Sequence, residues 1–423
     1  MPSGAILVTG LGVDTLRIRD AKDVEEAVRA AIAAEQPLEI IGHGSKRPIG
    51  QVMATNAVLD LSPLSAVSAY EPQELIITVQ AGAPLLDVMS LLDSKNQHFA
   101  FEPVNLARLL GTPERGTIGG MIGAGFAGPR RINAGGVRDH LLGAHAVSGF
   151  GESFKTGGKV VKNVTGYDLC KLLAGSWGTL AVMTEVTLKV MPRPEAESTI
   201  LLRGLDHMAA NRAMTAGLGS AFDVSAAAHV PPSASRGEVA GLDKVGSPRE
   251  AVTLLRLEGI AASVRHRASS LIEALKPFGP VESVEEATSQ ALWSAIRNVL
   301  PLAADGPLGA WPVWRIVCPP AAGGALGEAL VRESGGEVIY DWGGGLIWAA
   351  LPPKPDGQAG QVRPRAAALG GHAMLVRGPV ELRHEIDVFH PQPAGLVALN
   401  ERVRNSFDPR RILNRGRLSR EGA

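Results

Sequence analysis

The most constraining feature of this 423-residue chain is a stretch of backbone that is almost free of side chains. Fourteen glycines lie between Gly111 and Gly158, and they are densest from Gly116 to Gly125. Each glycine in an ordered element costs about 0.5–1 kcal/mol relative to alanine, because glycine loses more backbone freedom on folding. Such a density therefore indicates that a large ligand approaches the backbone closely, and a dinucleotide fits best.

A second glycine loop upstream supports this interpretation. The segment Pro37–Ile41 predicts a short buried strand, and the apolar spacing of residues 21–35 predicts a helix before it. A tight turn follows the strand and places backbone N–H groups where they can converge on an anion. The predicted pyrophosphate contacts in this turn are Gly42, His43, Gly44 and Ser45.

The downstream loop predicts the other side of the same phosphate clamp. A helix that begins near Gly119 would direct its unpaired N–H groups and its positive dipole end at the phosphates. Thr117 is placed to cap that helix. The predicted contacts in this loop are Thr117, Gly119, Gly120 and Gly123.

Several further motifs follow in a fixed order. They occupy residues 128–131, 138–139, 161–169, 175–188, 341–344 and 407–417. With the two loops, they resemble the FAD-binding domain of the vanillyl-alcohol oxidase type, also called the p-cresol methylhydroxylase (PCMH) type, over residues 20–192. Within that group the chain most resembles the FAD-binding subunits of bacterial glycolate oxidase.

The resemblance implies an α+β fold in three parts. Residues 1–194 would form a two-subdomain PCMH-type FAD-binding domain, and residues 195–390 an α+β cap domain. The C-terminal segment 391–423 would return to pack on the FAD domain. Independently of the resemblance, the alternation from Leu180 to Val190 predicts a half-buried strand that closes the first domain.

The resemblance also assigns further cofactor contacts. The backbone around Gly178 and Val182 resembles the segment that meets the pyrimidine edge of the flavin. Asp139 is a candidate acceptor for an adenine or ribose donor, although a surface ion pair explains it equally well. Some relatives attach the flavin covalently to a histidine in the first loop, and that position is Gly44 here. The expected cofactor is therefore noncovalent FAD, with His43 contributing its backbone.

Catalytic residues are harder to find in the sequence. Flavin oxidation of a 2-hydroxy acid needs a base for the hydroxyl proton and a cation for the carboxylate. Lys162, Tyr167 and Arg377 are weak candidates, and each can equally be an ion-pair or packing residue. Related dehydrogenases hold a divalent metal with paired histidines in the cap. The ten histidines of this chain include no such pair, so no metal site is expected.

Composition narrows the partners and the location. The chain has 42 basic and 42 acidic residues, so it offers no net positive charge for nucleic acid. The first ten residues lack the basic region of a signal peptide, and no apolar stretch approaches the roughly 20 residues of a spanning helix. We expect a cytoplasmic protein without a direct membrane span, peripheral at the inner membrane through its complex.

Three functional hypotheses remain open at the level of sequence. In the first, the chain is an accessory or electron-relay flavoprotein subunit of a glycolate oxidase that oxidises glycolate and also D-lactate. Its partners would be a larger catalytic flavoprotein subunit and an iron–sulfur subunit. In the second, it is a self-sufficient FAD-dependent 2-hydroxy-acid or alcohol dehydrogenase. In the third, it is a flavin-free scaffold whose glycine loops are purely structural.

Overall fold

The computed structural model describes residues 6–10, 13–55, 57–113, 115–158, 167–232, 239, 241–245, 247 and 249–420. The first subdomain comprises β1 (Ile6–Gly10), β2 (Val13–Arg17), α1 (Ala21–Ala33), β3 (Leu38–Ile41) and β4 (Ala57–Asp60). Its sheet has the order β1-β2-β4-β3, and β4 pairs in parallel with both of its neighbours. The predicted helix and strand are thus confirmed, and Asp20 caps α1 by accepting from the Asp23 N–H at 2.9 Å.

The second subdomain is a five-stranded antiparallel sheet with short helices around it. Its elements are β5 (Val67–Glu71), β6 (Ile76–Gln80), α2 (Leu85–Asp93), β7 (Gln97–His98), α3 (Ala107–Leu110), α4 (Ile118–Ala124), α5 (Arg131–Ala134), α6 (Val137–His140), β8 (Leu141–Ser148), β9 (Ser153–Gly157), α7 (Cys170–Leu173), β10 (Ala181–Lys189) and β11 (Met191–Pro192). The sheet order is β5-β6-β10-β8-β9, and β11 pairs separately with β7.

Strand β10 joins the two subdomains. Its second half alternates between buried and partly exposed residues as predicted, but its first half is buried on both faces. Val182 packs into the core of the first subdomain, whereas Ala181 and Met183 pack into the core of the second. The prediction of a half-buried strand was wrong for this half, because both faces meet a hydrophobic core there.

The cap is an eight-stranded antiparallel sheet. It comprises β12 (Ala196–Arg203), α8 (His207–Leu218), β13 (Val224–Val230), β14 (Val252–Gly259), α9 (Ala261–Leu275), β15 (Val281–Val284), α10 (Glu286–Arg297), β16 (Val313–Val317), α11 (Gly323–Ser334), β17 (Glu337–Asp341), β18 (Leu346–Ala350), α12 (Ala359–Ala368), β19 (His372–Arg377) and α13 (Val380–Glu385). The strand order is β15-β12-β14-β13-β17-β18-β16-β19.

The two faces of the cap sheet have different neighbours. Helices α8, α9, α11 and α12 cover one face with residues such as Met214 and Leu271. The opposite face packs on α10 and on the FAD-binding domain, where Val104 and Phe126 join the same hydrophobic cluster as Trp293 of α10. Any space enclosed between that face and the flavin loops is therefore walled by both domains.

The chain returns to the first subdomain after the cap. Helix α14 (Ala394–Phe407) is followed by a segment that runs along β3. The Leu38 N–H donates to the Ile412 carbonyl at 2.8 Å, and the Asn414 N–H donates to the Leu38 carbonyl at 2.9 Å. The α+β class and the returning C-terminal segment are as expected. The boundaries at 194 and 390 stay predictions.

Candidate cofactor site

The first glycine loop is an open turn at the carboxyl end of β3. Gly44 has a φ of +69°, a left-handed conformation that favours glycine. The N–H groups of His43, Gly44 and Ser45 make no hydrogen bond to any described part of the chain. His43 Nδ1 is also buried without a partner among these residues. Buried polar atoms are normally paired, so His43 Nδ1 indicates a polar ligand at this loop, and the N–H groups of residues 43–45 are available to it.

The second loop meets the first in close contact. Thr117 caps α4 as predicted, with its Oγ1 accepting from the Gly120 N–H at 3.2 Å. A Cβ added at Gly42 would overlap Thr117 Oγ1 and lie 2.6 Å from Thr117 Cγ2. A Cβ at Gly119 would lie 2.9 Å from Ala81 Cβ. Part of the glycine density thus allows backbone segments to pack, in addition to exposing backbone to a ligand.

The prediction that the N–H groups at the start of α4 are unpaired was wrong, whereas phosphate contact by this loop stays a prediction. The Ile118 N–H donates to the Ala83 carbonyl at 3.0 Å, and the Gly119 N–H donates to the Ala81 carbonyl at 2.7 Å. With Gly120 bonded to Thr117, the first-turn N–H groups are engaged within the chain. The reason is the segment that follows β6, whose carbonyls lie against the start of α4. The unpaired donors lie on the first loop, and the second loop supplies a surface without side chains.

A cavity of about 110 Å³, open to solvent on one side, lies between the two loops. Nine of the predicted contacts line it: Gly42, His43, Gly44, Ser45, Thr117, Gly119, Gly120, Gly123 and Gly178.

Asn414 from the C-terminal segment holds the cavity together. Its Oδ1 accepts from the Ile40 N–H at 2.7 Å, and its Nδ2 donates to the Trp177 carbonyl at 2.7 Å. Gly178 has a φ of +68°, and a Cβ there would lie 2.7 Å from Asn414 Nδ2. One side chain thereby fixes β3 and the turn before β10 on opposite sides of the cavity.

Three cationic residues that line the cavity, Lys46, Arg47 and Arg417, were missed in the sequence. Lys46 lines the wall next to the first loop, and burial lowers its pKa to about 8. Arg417 donates to the carbonyls of Lys46 and Arg47 at 3.3 and 3.4 Å, and its guanidinium lies 5.8 Å from the Trp177 ring centroid. The position of Lys46 directly after the loop was the available signal. For Arg417 the only signal was its place in the C-terminal motif.

Asp139 and Val182 do not line the cavity. Asp139 Oδ2 accepts from the Gly136 N–H at 2.8 Å, which gives it a local capping role at the start of α6. Val182 is buried in the first subdomain, and its neighbours Ala181 and Met183 reach the cavity instead. The cofactor roles assigned to both residues stay predictions.

Of the three weak catalytic candidates, the structure describes Tyr167 and Arg377, and neither lines the cofactor cavity. Lys162 lies outside the described residues, and Tyr167 is 91% exposed. Arg377 donates to the carbonyls of Leu109, Leu302 and Trp311, among others, and burial lowers its pKa to about 10. These bonds give Arg377 a structural role between α3 and the cap. In the described part of the chain, no group of three or more His, Cys, Asp or Glu side chains could hold a metal ion.

A second hollow continues from the cofactor cavity past Lys46. Both spaces share Ser45 and Lys46 as a wall. The hollow is lined on the flavin side by Leu85, Met89 and residues 103–107, and on the cap side by Arg297 and Asn298. Its mixture of apolar walls and a few polar groups is typical of ligand sites.

This fold and the two-loop cavity are those of a PCMH-type FAD-binding protein. Residues 15–157 match the family model described as an FAD binding domain. Glycolate oxidase subunit GlcE of Escherichia coli (strain K12) is 32% identical over 398 residues, which cover 94% of this chain and 96% of that protein. The chain belongs to the GlcE family of glycolate oxidase subunits, which are FAD-dependent oxidoreductases.

The chain is also similar to a second glycolate oxidase subunit and to a solved structure with the same fold. Glycolate oxidase subunit GlcD of Bacillus subtilis (strain 168) is 29% identical over 257 residues, which cover 60% of this chain and 49% of that protein. The solved structure of an alkyldihydroxyacetonephosphate synthase covers 95% of this chain and 76% of its own, with a TM-score of 0.65 and 14% identity. The latter likeness concerns the fold alone.

The residues present fit FAD. The free N–H groups of 43–45 and the ammonium of Lys46 suit a pyrophosphate, since charge-assisted hydrogen bonds to phosphate oxygens are strong. Gly119 and Gly120 leave the facing wall open to a flat or bulky group. The buried and unpartnered His43 Nδ1 would gain a polar neighbour from the cofactor.

Proposed function

We propose that this chain is the FAD-carrying subunit of a glycolate oxidase complex that oxidises glycolate, and also D-lactate, to the 2-oxo acid. It acts as an accessory or electron-relay flavoprotein beside a larger catalytic flavoprotein subunit and an iron–sulfur subunit. The observation that carries the proposal is the two-loop cavity, with its unpaired donors, in a chain that matches GlcE over nearly its whole length.

The chemistry divides between the cofactor and the chain. When bound, FAD supplies an acceptor for a hydride and can pass electrons on singly. The first loop holds the pyrophosphate through N–H groups, and Lys46 balances its charge. Thr117 fixes the start of α4, and Asn414 fixes the distance between β3 and Trp177. Gly44 occupies the position at which some relatives attach the flavin covalently to a histidine, which supports noncovalent binding.

The self-sufficient dehydrogenase remains a second candidate. It is favoured by the hollow beyond Lys46, where a cap guanidinium comes close to the cofactor cavity. Against it, neither Tyr167 nor Arg377, the two described catalytic candidates, lines the cofactor cavity.

The proposed location is the cytoplasm, with peripheral attachment at the inner membrane through the complex. Within the described residues, no helix is long and apolar enough to cross a membrane.

Two measurements test the proposal. The tagged chain, purified from its own cell, is expected to carry FAD that acid precipitation releases, and to bring a larger flavoprotein and an iron–sulfur protein with it. Under anaerobic stopped flow, glycolate is expected to reduce the flavin of the isolated chain slowly or not at all, and to reduce the complex rapidly. Fast and saturable bleaching of the isolated chain would instead assign the catalytic site to this subunit.

A further inference from the structure

A polar cavity between the FAD-binding domain and the cap is used by none of the roles described so far. Its volume is about 270 Å³. His98, Glu102 and Arg130 reach it from the flavin side. Its cap side carries Glu197, Arg256, Glu258 and Arg297. Such a concentration of ionisable groups at a domain interface is unusual unless the charges are paired or bind a ligand.

Most of these charges compensate one another. Arg256 donates through both terminal nitrogens to the two oxygens of Glu102, at 2.9 and 3.0 Å. Arg130 Nε donates to Glu258 at 2.9 Å. The arginines lower the pKa of Glu102, and they lower that of Glu258 to about 2 despite burial. Both carboxylates are therefore ionised at neutral pH and already engaged by Arg256 and Arg130.

Arg297 differs from its neighbours because it has no such partner. Its guanidinium makes no ion pair with a carboxylate in the described chain. Its two hydrogen bonds, to Ser294 Oγ and to Asn298 Oδ1, are both long at 3.4 Å. Burial lowers the pKa of Arg297, and Glu102, which opposes this effect, is held by Arg256. An enclosed guanidinium with free donors is well suited to a planar anion.

The position of Arg297 connects this cavity with the cofactor site. Arg297 lies in the wall between the polar cavity and the hollow beyond Lys46. That hollow shares Ser45 and Lys46 with the cofactor cavity. The stem of Arg297 is also held in place, since a Cβ at Gly128 would lie 3.0 Å from Arg297 Cγ. Three adjoining cavities thus extend from the first loop to the Arg297 guanidinium.

We propose that Arg297 binds the carboxylate of a small 2-hydroxy or 2-oxo acid at the junction of these two cavities. The identity of the acid rests on the proposed function, whereas the carboxylate preference rests on the geometry. A guanidinium binds a carboxylate through two parallel hydrogen bonds. Because Arg256 and Arg130 already balance the charges of Glu102 and Glu258, the single remaining charge of Arg297 suits a monocarboxylate better than a dianion such as phosphate.

The test is anaerobic titration calorimetry on the FAD-loaded full-length protein. Glyoxylate is the main probe because it is the 2-oxo acid that glycolate oxidation yields and carries a single carboxylate, and inorganic phosphate is the probe for a general anion site. Arg297→Gln is expected to weaken glyoxylate binding by about tenfold or more, since a hydrogen bond to a charged group contributes about 1.5–3 kcal/mol. Arg297→Lys keeps the positive charge but cannot make two parallel hydrogen bonds to a carboxylate, so it is expected to recover only part of the affinity.

Arg332→Gln is the matched control, because Arg332 is an exposed arginine that pairs with Glu333 away from both cavities. It should bind glyoxylate as the wild type does. Equal binding by wild type and Arg297→Gln overturns the proposal, as does stronger binding of phosphate than of glyoxylate. If Arg297→Gln loses flavin or melts at a lower temperature than the wild type, the glyoxylate affinity of Arg297→Lys is compared with that of the wild type instead. Equal affinities then overturn the proposal.

The outcome separates this proposal from the proposed function. If the complex oxidises glycolate but the subunit binds no glyoxylate, the site at Arg297 falls and the function stands. If glyoxylate binding depends on Arg297 but the complex does not oxidise glycolate, the carboxylate site stands and the function falls.

Discussion

Replacing Gly42 by alanine tests whether the two loops must touch. The added Cβ would overlap Thr117 Oγ1, lie 2.6 Å from Cγ2 and lie 3.0 Å from Cβ. Thr117 cannot move away freely, because it is buried and caps α4 through the Gly120 N–H. The variant must therefore either separate the loops or break the cap.

The expected cost follows from these two effects. Overpacking of a buried contact costs about 1–3 kcal/mol, and loss of an N-cap costs about 1 kcal/mol. A shifted loop also misdirects the donors of residues 43–45. One lost hydrogen bond to a charged group is worth about 1.5–3 kcal/mol, so the FAD dissociation constant should rise about 10- to 100-fold.

The assay is flavin-fluorescence titration of apoprotein, together with thermal unfolding. Gly158→Ala is the control, since no atom of the described residues lies within 4 Å of a Cβ at Gly158. The double variant Gly42→Ala/Thr117→Ala removes Thr117 Oγ1 and Cγ2. Its loss of FAD affinity and of stability should be smaller than the sum of the losses in the two single variants. Normal FAD affinity in Gly42→Ala, or full additivity in the double variant, would refute the loop contact.

Three further predictions concern single residues. Gly120→Asp places a carboxylate in the cavity wall and should abolish FAD retention, whereas circular dichroism should show a folded protein. Normal flavin content in this variant would contradict the loop assignment. Burial lowers the folded-state pKa of Lys46 to about 8. Its ammonium is therefore lost as pH rises through 8, and FAD affinity should fall between pH 7 and 9.5. In Lys46→Met this pH dependence should vanish, and a pH dependence that persists would belong to another group. Arg377→Met leaves several buried carbonyls without donors and should lower stability by about 2–4 kcal/mol with little change in FAD affinity, as followed by thermal unfolding and flavin titration.

The features that sequence predicted well are local. The turn after β3, the cap at Thr117 and the strand β10 each depend on residues a few positions apart. Their patterns are set by backbone conformation and periodicity, which a short window contains. The resemblance to known flavoproteins supplied the order of the domains and the returning C-terminal segment.

The features that it missed depend on distant partners. The engaged N–H groups of α4 reflect carbonyls at Ala81 and Ala83, more than thirty positions upstream. The bond between Ile40 and Asn414 joins residues 374 positions apart. The pairing of Glu102 with Arg256 spans 154 positions. Only this pairing reveals that Arg297 has no carboxylate partner among the described residues. No local pattern distinguishes a paired arginine from an unpaired one.

The bond from Ile40 to Asn414 has a consequence for the biosynthesis of the protein. Domains fold in the order in which the ribosome delivers them. The first loop and α4 emerge early, but the side chain that fixes β3 against the Trp177 turn arrives only after the cap. We therefore expect stable loading with FAD only once the chain is synthesised beyond Asn414, so a ribosome stalled within the cap is expected to carry an empty flavin domain.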